Sequence, residues 1–148
     1  MKKTITILCI TSFLFLSIQS KLIAQTTSNV ITDAFFVIYA KQPSNAVDYA
    51  FGTNKWMLKK TDVITNVKTQ LKTLTDLLGG YDGFELIQES TISASLKEIK
   101  FLVRYEREPI QFTFLLYKPK DKWMVENFSF NENLDKEIDG GTKAKLTK

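Results

Sequence analysis

Apolar residues recur every third or fourth position between Ser28 and Leu78, and every second position between Phe84 and Phe130. The first spacing belongs to helices that bury one face, the second to strands of a half-buried sheet. A first helix is predicted to start near Ser28 or Asn29, either of which can cap it. Its apolar face would be Val30, Ile31, Ala34, Phe35, Val37 and Ile38. Pro43 and Ser44 punctuate the chain, and Ser44 is placed to cap a short second helix through Ala46, Val47, Ala50 and Phe51, ended by Gly52-Thr53-Asn54. A stretch containing Trp56 and Met57 leads to Thr61 and Asp62, both suited to cap a third helix. Val63, Ile64, Val67, Leu71, Leu74, Leu77 and Leu78 mark its buried side, and Gly79-Gly80 supplies a left-handed stop.

Beyond Gly83 the period is two. Phe84 to Ser93 reads as one strand. Ile99, Phe101, Val103 and Tyr105 alternate with Lys100, Leu102, Arg104 and Glu106 in a second. After Arg107-Glu108-Pro109, Ile110, Phe112, Phe114 and Leu116 alternate with Gln111, Thr113, Leu115 and Tyr117 in a third. Lys118 to Lys122 is a turn with Pro119 at a corner. A fourth strand runs from Trp123 to Phe130, but Trp123 and Val125 share one parity while Phe128 and Phe130 share the other. A bulge near Asn127 would reconcile them. Helices first and strands afterwards is the α+β order: three N-terminal helices packed on a curved four-stranded antiparallel sheet. Asn131 to Ile138 reads as a turn with a short helix.

Charge and composition change this picture at the ends. The chain of 148 residues has 20 Lys+Arg, 16 Asp+Glu, no histidine and one cysteine. One domain is expected at this length. Without histidine, Ser-His-Asp and Cys-His nucleophile systems, His-ligated zinc or iron, and imidazole acid–base chemistry are excluded. Residues 1–24 read as an export signal: Lys2 and Lys3, an uncharged and mostly apolar run from Thr4 to Ile18, then small residues ending at Ala24. That run spans roughly 22 Å as a helix, short of a hydrocarbon core about 30 Å thick, so cleavage is expected rather than anchoring. Cys9 lies inside the apolar run and is not placed as a lipoprotein cysteine. Cleavage after Ala24 would leave an exported chain, periplasmic or secreted, with neither cysteine nor histidine and no membrane attachment. Residues 140–148, with Lys143, Lys145 and Lys148, read as a disordered tail. Between them, residues 25–139 carry 14 Lys+Arg against 16 Asp+Glu, so the overall basicity argues for no nucleic-acid partner.

The segments AVDYAFGTNKWM (46–57), LGGYDGFELI (78–87) and FTFLLYKPKDKWMVENFSF (112–130), in this element order, resemble the nuclear transport factor 2-like superfamily. That is the cystatin-like α+β cone of ketosteroid-isomerase-like and SnoaL-like proteins, and the chain is most similar to small exported members of unassigned function. The resemblance implies a sheet wrapped around a helix, a cone that some members use as a pocket, and frequent dimers through the exposed sheet face. It does not imply a reaction, because the fold hosts enzymes, binding proteins and adaptors. Enzymes of the superfamily often use an Asp base with Tyr or Asp donors. Tyr39 and Tyr105 are the nearest echo, and no base can be matched among Asp33, Asp48, Asp62 and Asp76.

The candidate ligand-binding residues are Tyr39, Trp56, Tyr105, Trp123 and Arg104. For the two tyrosines the competing reading is ordinary core with the hydroxyl at the rim. Arg104 could grip a carboxylate at the pocket mouth beside Trp123 or Trp56, or simply join an ion pair within Arg104-Tyr105-Glu106-Arg107-Glu108. Leu102, Leu115 and Tyr117 give the outer sheet face more apolar character than a solvated face needs, which suits a homodimer interface. No catalytic residue, metal site or cofactor is expected. The expected function is non-catalytic binding of a small apolar or amphipathic ligand in the cone, or of a protein on the sheet. The alternatives are a lyase or isomerase using Tyr and Asp groups, and a structural module with a filled core.

Overall fold

The computed structural model of the chain describes residues 22–132 and residue 134. It contains α1 (Leu22–Tyr39), α2 (Pro43–Gly52), a 3-10 turn (Met57–Lys59) and α3 (Thr61–Leu78), followed by β1 (Tyr81–Ser93), β2 (Leu96–Tyr105), β3 (Ile110–Tyr117) and β4 (Met124–Asn131). The strands form one open antiparallel meander in the order β1-β2-β3-β4. The α+β order expected from the two periodicities is the one observed. Of the expected export signal, only Leu22 to Ala24 are described, inside α1. Apart from Leu134, the expected turn and short helix beyond Glu132 and the lysine tail lie outside the described residues.

Element starts depart from the sequence reading for identifiable reasons. Ser28 lies inside α1, which is described from Leu22 onward, and does not cap its start: it is fully buried and accepts a bond from Lys97 Nζ at 3.3 Å. Its buried stripe runs through Ile31, Thr32, Phe35, Phe36 and Tyr39, leaving the expected core residues Val30 and Val37 exposed. Gln42, not Ser44, precedes α2, since Pro43 has its φ pre-set for a first helical position and no N–H to satisfy. Thr61 and Asp62 lie within the first turn of α3, with Lys60 at the cap position. Gly79 ends α3 at φ +84°, the left-handed stop the sequence asks for. Strand β1 starts at Tyr81 rather than Phe84: Gly83, at φ +114°, absorbs a bulge that lets Tyr81 still pair with Tyr105.

The expected bulge in β4 is present. Leu115 faces Asn127 and Leu116 faces Val125, so Glu126 is the extra residue. The skip brings Val125 and Phe128 onto the same buried face. That face meets α1 through aromatic rings. Phe35 lies 4.9 Å from Phe114, 5.2 Å from Phe128 and 6.2 Å from Phe112, ring centroid to centroid. Phe36 stacks on Phe84 and meets Phe101 edge-on. Edge-to-face and offset pairs of this kind add to the area burial that dominates such a core. The space between helix and sheet, which the cone reading reserves for a ligand, is filled here by phenylalanines.

Candidate functional site

The most distinctive polar construction in the fold lies where α2 ends against β4. As an edge strand, β4 has backbone groups that need partners outside the sheet. Thr53 and Asn54 provide them. Thr53 Oγ1 donates to Ala50 O at 2.7 Å and accepts from Val125 N–H at 2.8 Å. Asn54, 2% exposed, donates from Nδ2 to Val125 O at 3.1 Å and to Glu126 Oε2 at 3.2 Å. Its Oδ1 accepts the N–H of Trp56 at 3.1 Å, and its backbone carbonyl accepts from Met57 N–H at 3.0 Å. Met57 is buried as an anchor. The β4 bulge and the Gly52-Thr53-Asn54 stop thus form one clasp, and the clasp fixes Trp56 beside the β3–β4 turn.

A groove of about 470 Å³ lies between the two segments, with Trp56, Pro119, Trp123 and Met124 among its walls and Lys55, Lys120 and Lys122 among its polar residues. Each indole has two ammonium groups near its face. Lys55 and Lys59 Nζ stand 5.0 and 4.9 Å from the Trp56 centroid, and Lys118 and Lys97 Nζ stand 5.0 and 5.7 Å from that of Trp123. All four fall within cation–π range. The two rings differ in setting: Trp56 is 58% exposed and Trp123 only 7%. Behind Trp123, Lys97 is held by Glu89 Oε1 at 2.7 Å as well as by Ser28, and its side chain is 12% exposed. Asp121 is the one acid within the groove lining. Apolar rings under a lysine rim can hold a flat or aliphatic body that carries a negative charge. A nucleophile or general base would have to come from elsewhere.

Tyr39 and Tyr105 are brought together, but elsewhere. Both are buried and their hydroxyls are hydrogen-bonded to each other. The Tyr81 ring lies 5.5 Å from that of Tyr39 and 6.0 Å from that of Tyr105. Burial pushes the Tyr39 hydroxyl far above the usual tyrosine range, with Tyr105 adding to the effect. Burial likewise pushes Tyr105 up to about 12, partly offset by the bond from Tyr39, and raises Tyr81 as well. These are proton-retaining hydroxyls paired inside the core. Tyr105 and the Trp123-contacting Lys97 sit eight residues apart on β2, a separation of roughly 26 Å along a strand.

Arg104 is at neither place. On the outer face it binds Glu85 Oε1 through Nη1 at 2.5 Å and donates from Nη2 to Asp82 O at 3.1 Å, a cross-strand arrangement between β2 and β1. Its neighbours close the end of α3: Arg107 Nη1 donates to Leu77 O at 2.8 Å, and Glu106 Oε2 accepts from Gly80 N–H at 3.0 Å. Leu102 and Leu115 are half-buried on the same outer face and Tyr117 is 38% exposed. Gln111, also there, bonds Thr113 Oγ1 through Nε2 at 3.2 Å, while its buried Oε1 has no partner among the described residues.

The five expected ligand residues therefore divide into a tryptophan groove, a tyrosine pair and an outer-face ion pair. Sequence reasoning missed Lys55, Lys59 and Lys97 as companions of the indoles. The first two were signalled by flanking Trp56 at one and three residues; Lys97, on the buried parity of β2, gave no such sign. Among the described residues no group of three or more His, Cys, Asp or Glu could hold a metal ion. No helix among them is long and apolar enough to cross a membrane. Comparison with protein-family models, with curated proteins and with solved structures found no match.

Proposed function

We propose that the chain is a binding domain, that its ligand is a small amphipathic anion, and that the ligand sits in the Trp56–Trp123 groove rather than between helix and sheet. One observation carries the reading: two indoles, each attended by two lysine ammonium groups, wall the same groove. The filled phenylalanine core supports the shift away from the cone. The lyase or isomerase alternative draws less support, since the Tyr39 and Tyr105 hydroxyls pair with each other inside that core. The element order is the support for placing the chain in the nuclear transport factor 2-like superfamily, and the Lys2–Ala24 pattern is the support for export. A second reading, homodimerisation through the outer sheet face, rests on Tyr117 standing exposed beside half-buried Leu115; monomer alone in velocity sedimentation would refute it.

The test of the binding reading is fluorescence titration with a medium-chain alkyl phosphate kept below its micelle concentration. Saturable binding is expected, with Trp56→Ala weakening it about tenfold, as loss of a central aromatic contact does. Tyr39→Phe and Tyr105→Phe should leave it unchanged. Equal affinity in Trp56→Ala and in Lys120→Gln/Lys122→Gln would sink the groove assignment.

A further inference from the structure

The charge of the described residues is balanced overall, with 13 Lys+Arg against 13 Asp+Glu, but it is not evenly spread. Residues 55–60 and 118–122, eleven positions in all, hold six of those lysines and a single acid, Asp121. Within the first of these segments two large apolar side chains are turned outward where a folded domain ordinarily hides them. Trp56 is 58% exposed and Leu58, one residue beyond buried Met57, is 50% exposed. The clasp from Asn54 holds this stretch of backbone in place, so the exposure is a fixed feature of the surface. A large aromatic and an aliphatic side chain standing among lysines match the two-part chemistry of a bilayer boundary, where indole rings settle at headgroup depth and cations meet anionic lipid.

Against the expectation of no membrane attachment after export, we infer that this end of the molecule docks on an anionic membrane surface, with one phospholipid headgroup in the Trp56–Trp123 groove and Trp56 and Leu58 entering the acyl boundary. The inference rests on the groove reading and names the source of its ligand: lipid in a bilayer rather than a free amphiphile. Charge complementarity selects the occupant. The Lys120 and Lys122 ammonium groups at the groove rim and those of Lys55 and Lys59 beside the exposed indole would face phosphates, while a neutral surface would leave them without counter-charge. Trp123 stays in the fold as the inner wall, so insertion asks nothing of the core.

The experiment uses the full chain with vesicles of phosphatidylcholine alone and of phosphatidylcholine mixed with phosphatidylglycerol, read by co-sedimentation. Binding should favour the mixed vesicles and weaken as salt is raised. Lys120→Gln/Lys122→Gln should weaken it about twenty-fivefold, since each lysine near an anionic surface contributes about fivefold. Trp56→Ser should weaken it about tenfold; these three positions are exposed, and unchanged thermal midpoints would confirm that the variants fold. In Trp123→Phe, which leaves Trp56 as the one indole, emission should shift to the blue on mixed vesicles and be quenched by bromine-labelled acyl chains. Alkyl phosphate binding in the groove without any vesicle binding would overturn the membrane inference and leave the proposed function standing. Vesicle binding that ignores lipid charge, or that survives all three substitutions, would place the contact elsewhere in the chain and overturn it too. Loss of both binding modes in the unmodified protein would remove the groove reading itself.

Discussion

Phe35 and the Tyr39–Tyr105 pair carry the energetics of the interior in different ways. Phe35 touches rings on β3 and β4 at once, so Phe35→Ala should cost about 3–5 kcal/mol. That is a large part of the roughly 5–15 kcal/mol that holds a domain folded, and a thermal or urea melt would show it. The tyrosines act through protons. An unfolded tyrosine gives up its proton near pH 10, whereas Tyr105 in the fold keeps it up to about 12 and Tyr39 keeps it beyond. Their contribution is therefore complete below pH 10 and is lost as pH rises through the folded values. Unfolding free energies from urea melts should fall across that alkaline window, by on the order of 2 kcal/mol from Tyr105, and more gently in Tyr39→Phe/Tyr105→Phe. Equal alkaline slopes in the two proteins would assign the decline to groups other than this pair. The sequence showed both tyrosines on apolar faces but not that they meet, because the contact joins positions 66 residues apart.

At the scale of elements, two junctions hold helices to sheet. The first is the end of α3, where Gly79 turns the chain at positive φ and a Cβ there would lie 2.6 Å from Glu106 Oε2. Gly79→Ala should therefore destabilise by about 1–3 kcal/mol, mostly from the backbone at φ +84° and ψ −155°, which suits glycine, with a smaller part from displacing the Glu106 side chain. Part of the penalty should vanish when Glu106→Ala is added, and a double-mutant cycle would register that coupling. The second is the Thr53–Asn54 clasp. Asn54→Ala would strip partners from Val125 O and Trp56 N–H, at a cost of about 1–3 kcal/mol. It should also loosen Trp56, seen as lower fluorescence anisotropy in a Trp123→Phe background. The sequence made the Gly79 stop and the β4 bulge legible, since each follows from local spacing. The clasp was not legible, because a Thr-Asn pair after a helix reads as an ordinary stop until the strand 71 residues later is in place. Ser28 misled for the same reason: a good capping residue by type, it is withdrawn into the core by Lys97.

For the molecule as a whole, the two periodicities specified the order and class of the fold. They did not show how the interior would be used. Phe101, Phe112 and Phe114 were read correctly as one face, which Phe128 joins through the β4 bulge, yet whether they line a cavity or fill it depends on what α1 delivers between them. Phe35 and Phe36 fill it. Of the candidate site, Trp56 and Trp123 were named from sequence as residues beside Arg104 at the mouth of a cone pocket; they wall a groove at another place, without Arg104. Tyr39, Tyr105 and Arg104 were grouped with them by analogy with a cone, and strand geometry sets them at other places. If the groove reading is right, affinity for the alkyl phosphate should fall steeply with salt while the thermal midpoint hardly moves, because the lysines involved are exposed and the core that sets stability is apolar.

The clasp on β4 has a further consequence, for assembly. The meander has two edges, and they are not equivalent. At Val125 both backbone groups on the β4 edge are already taken by Thr53 and Asn54, whereas β1 presents Leu86, Ile87 and Ile92 in the open and, among the described residues, pairs only with β2. An added strand would find the Val125 groups on β4 occupied and the β1 edge open, so backbone pairing between copies is favoured at β1, and the geometry that steadies Trp56 also biases which border of the sheet a second copy meets.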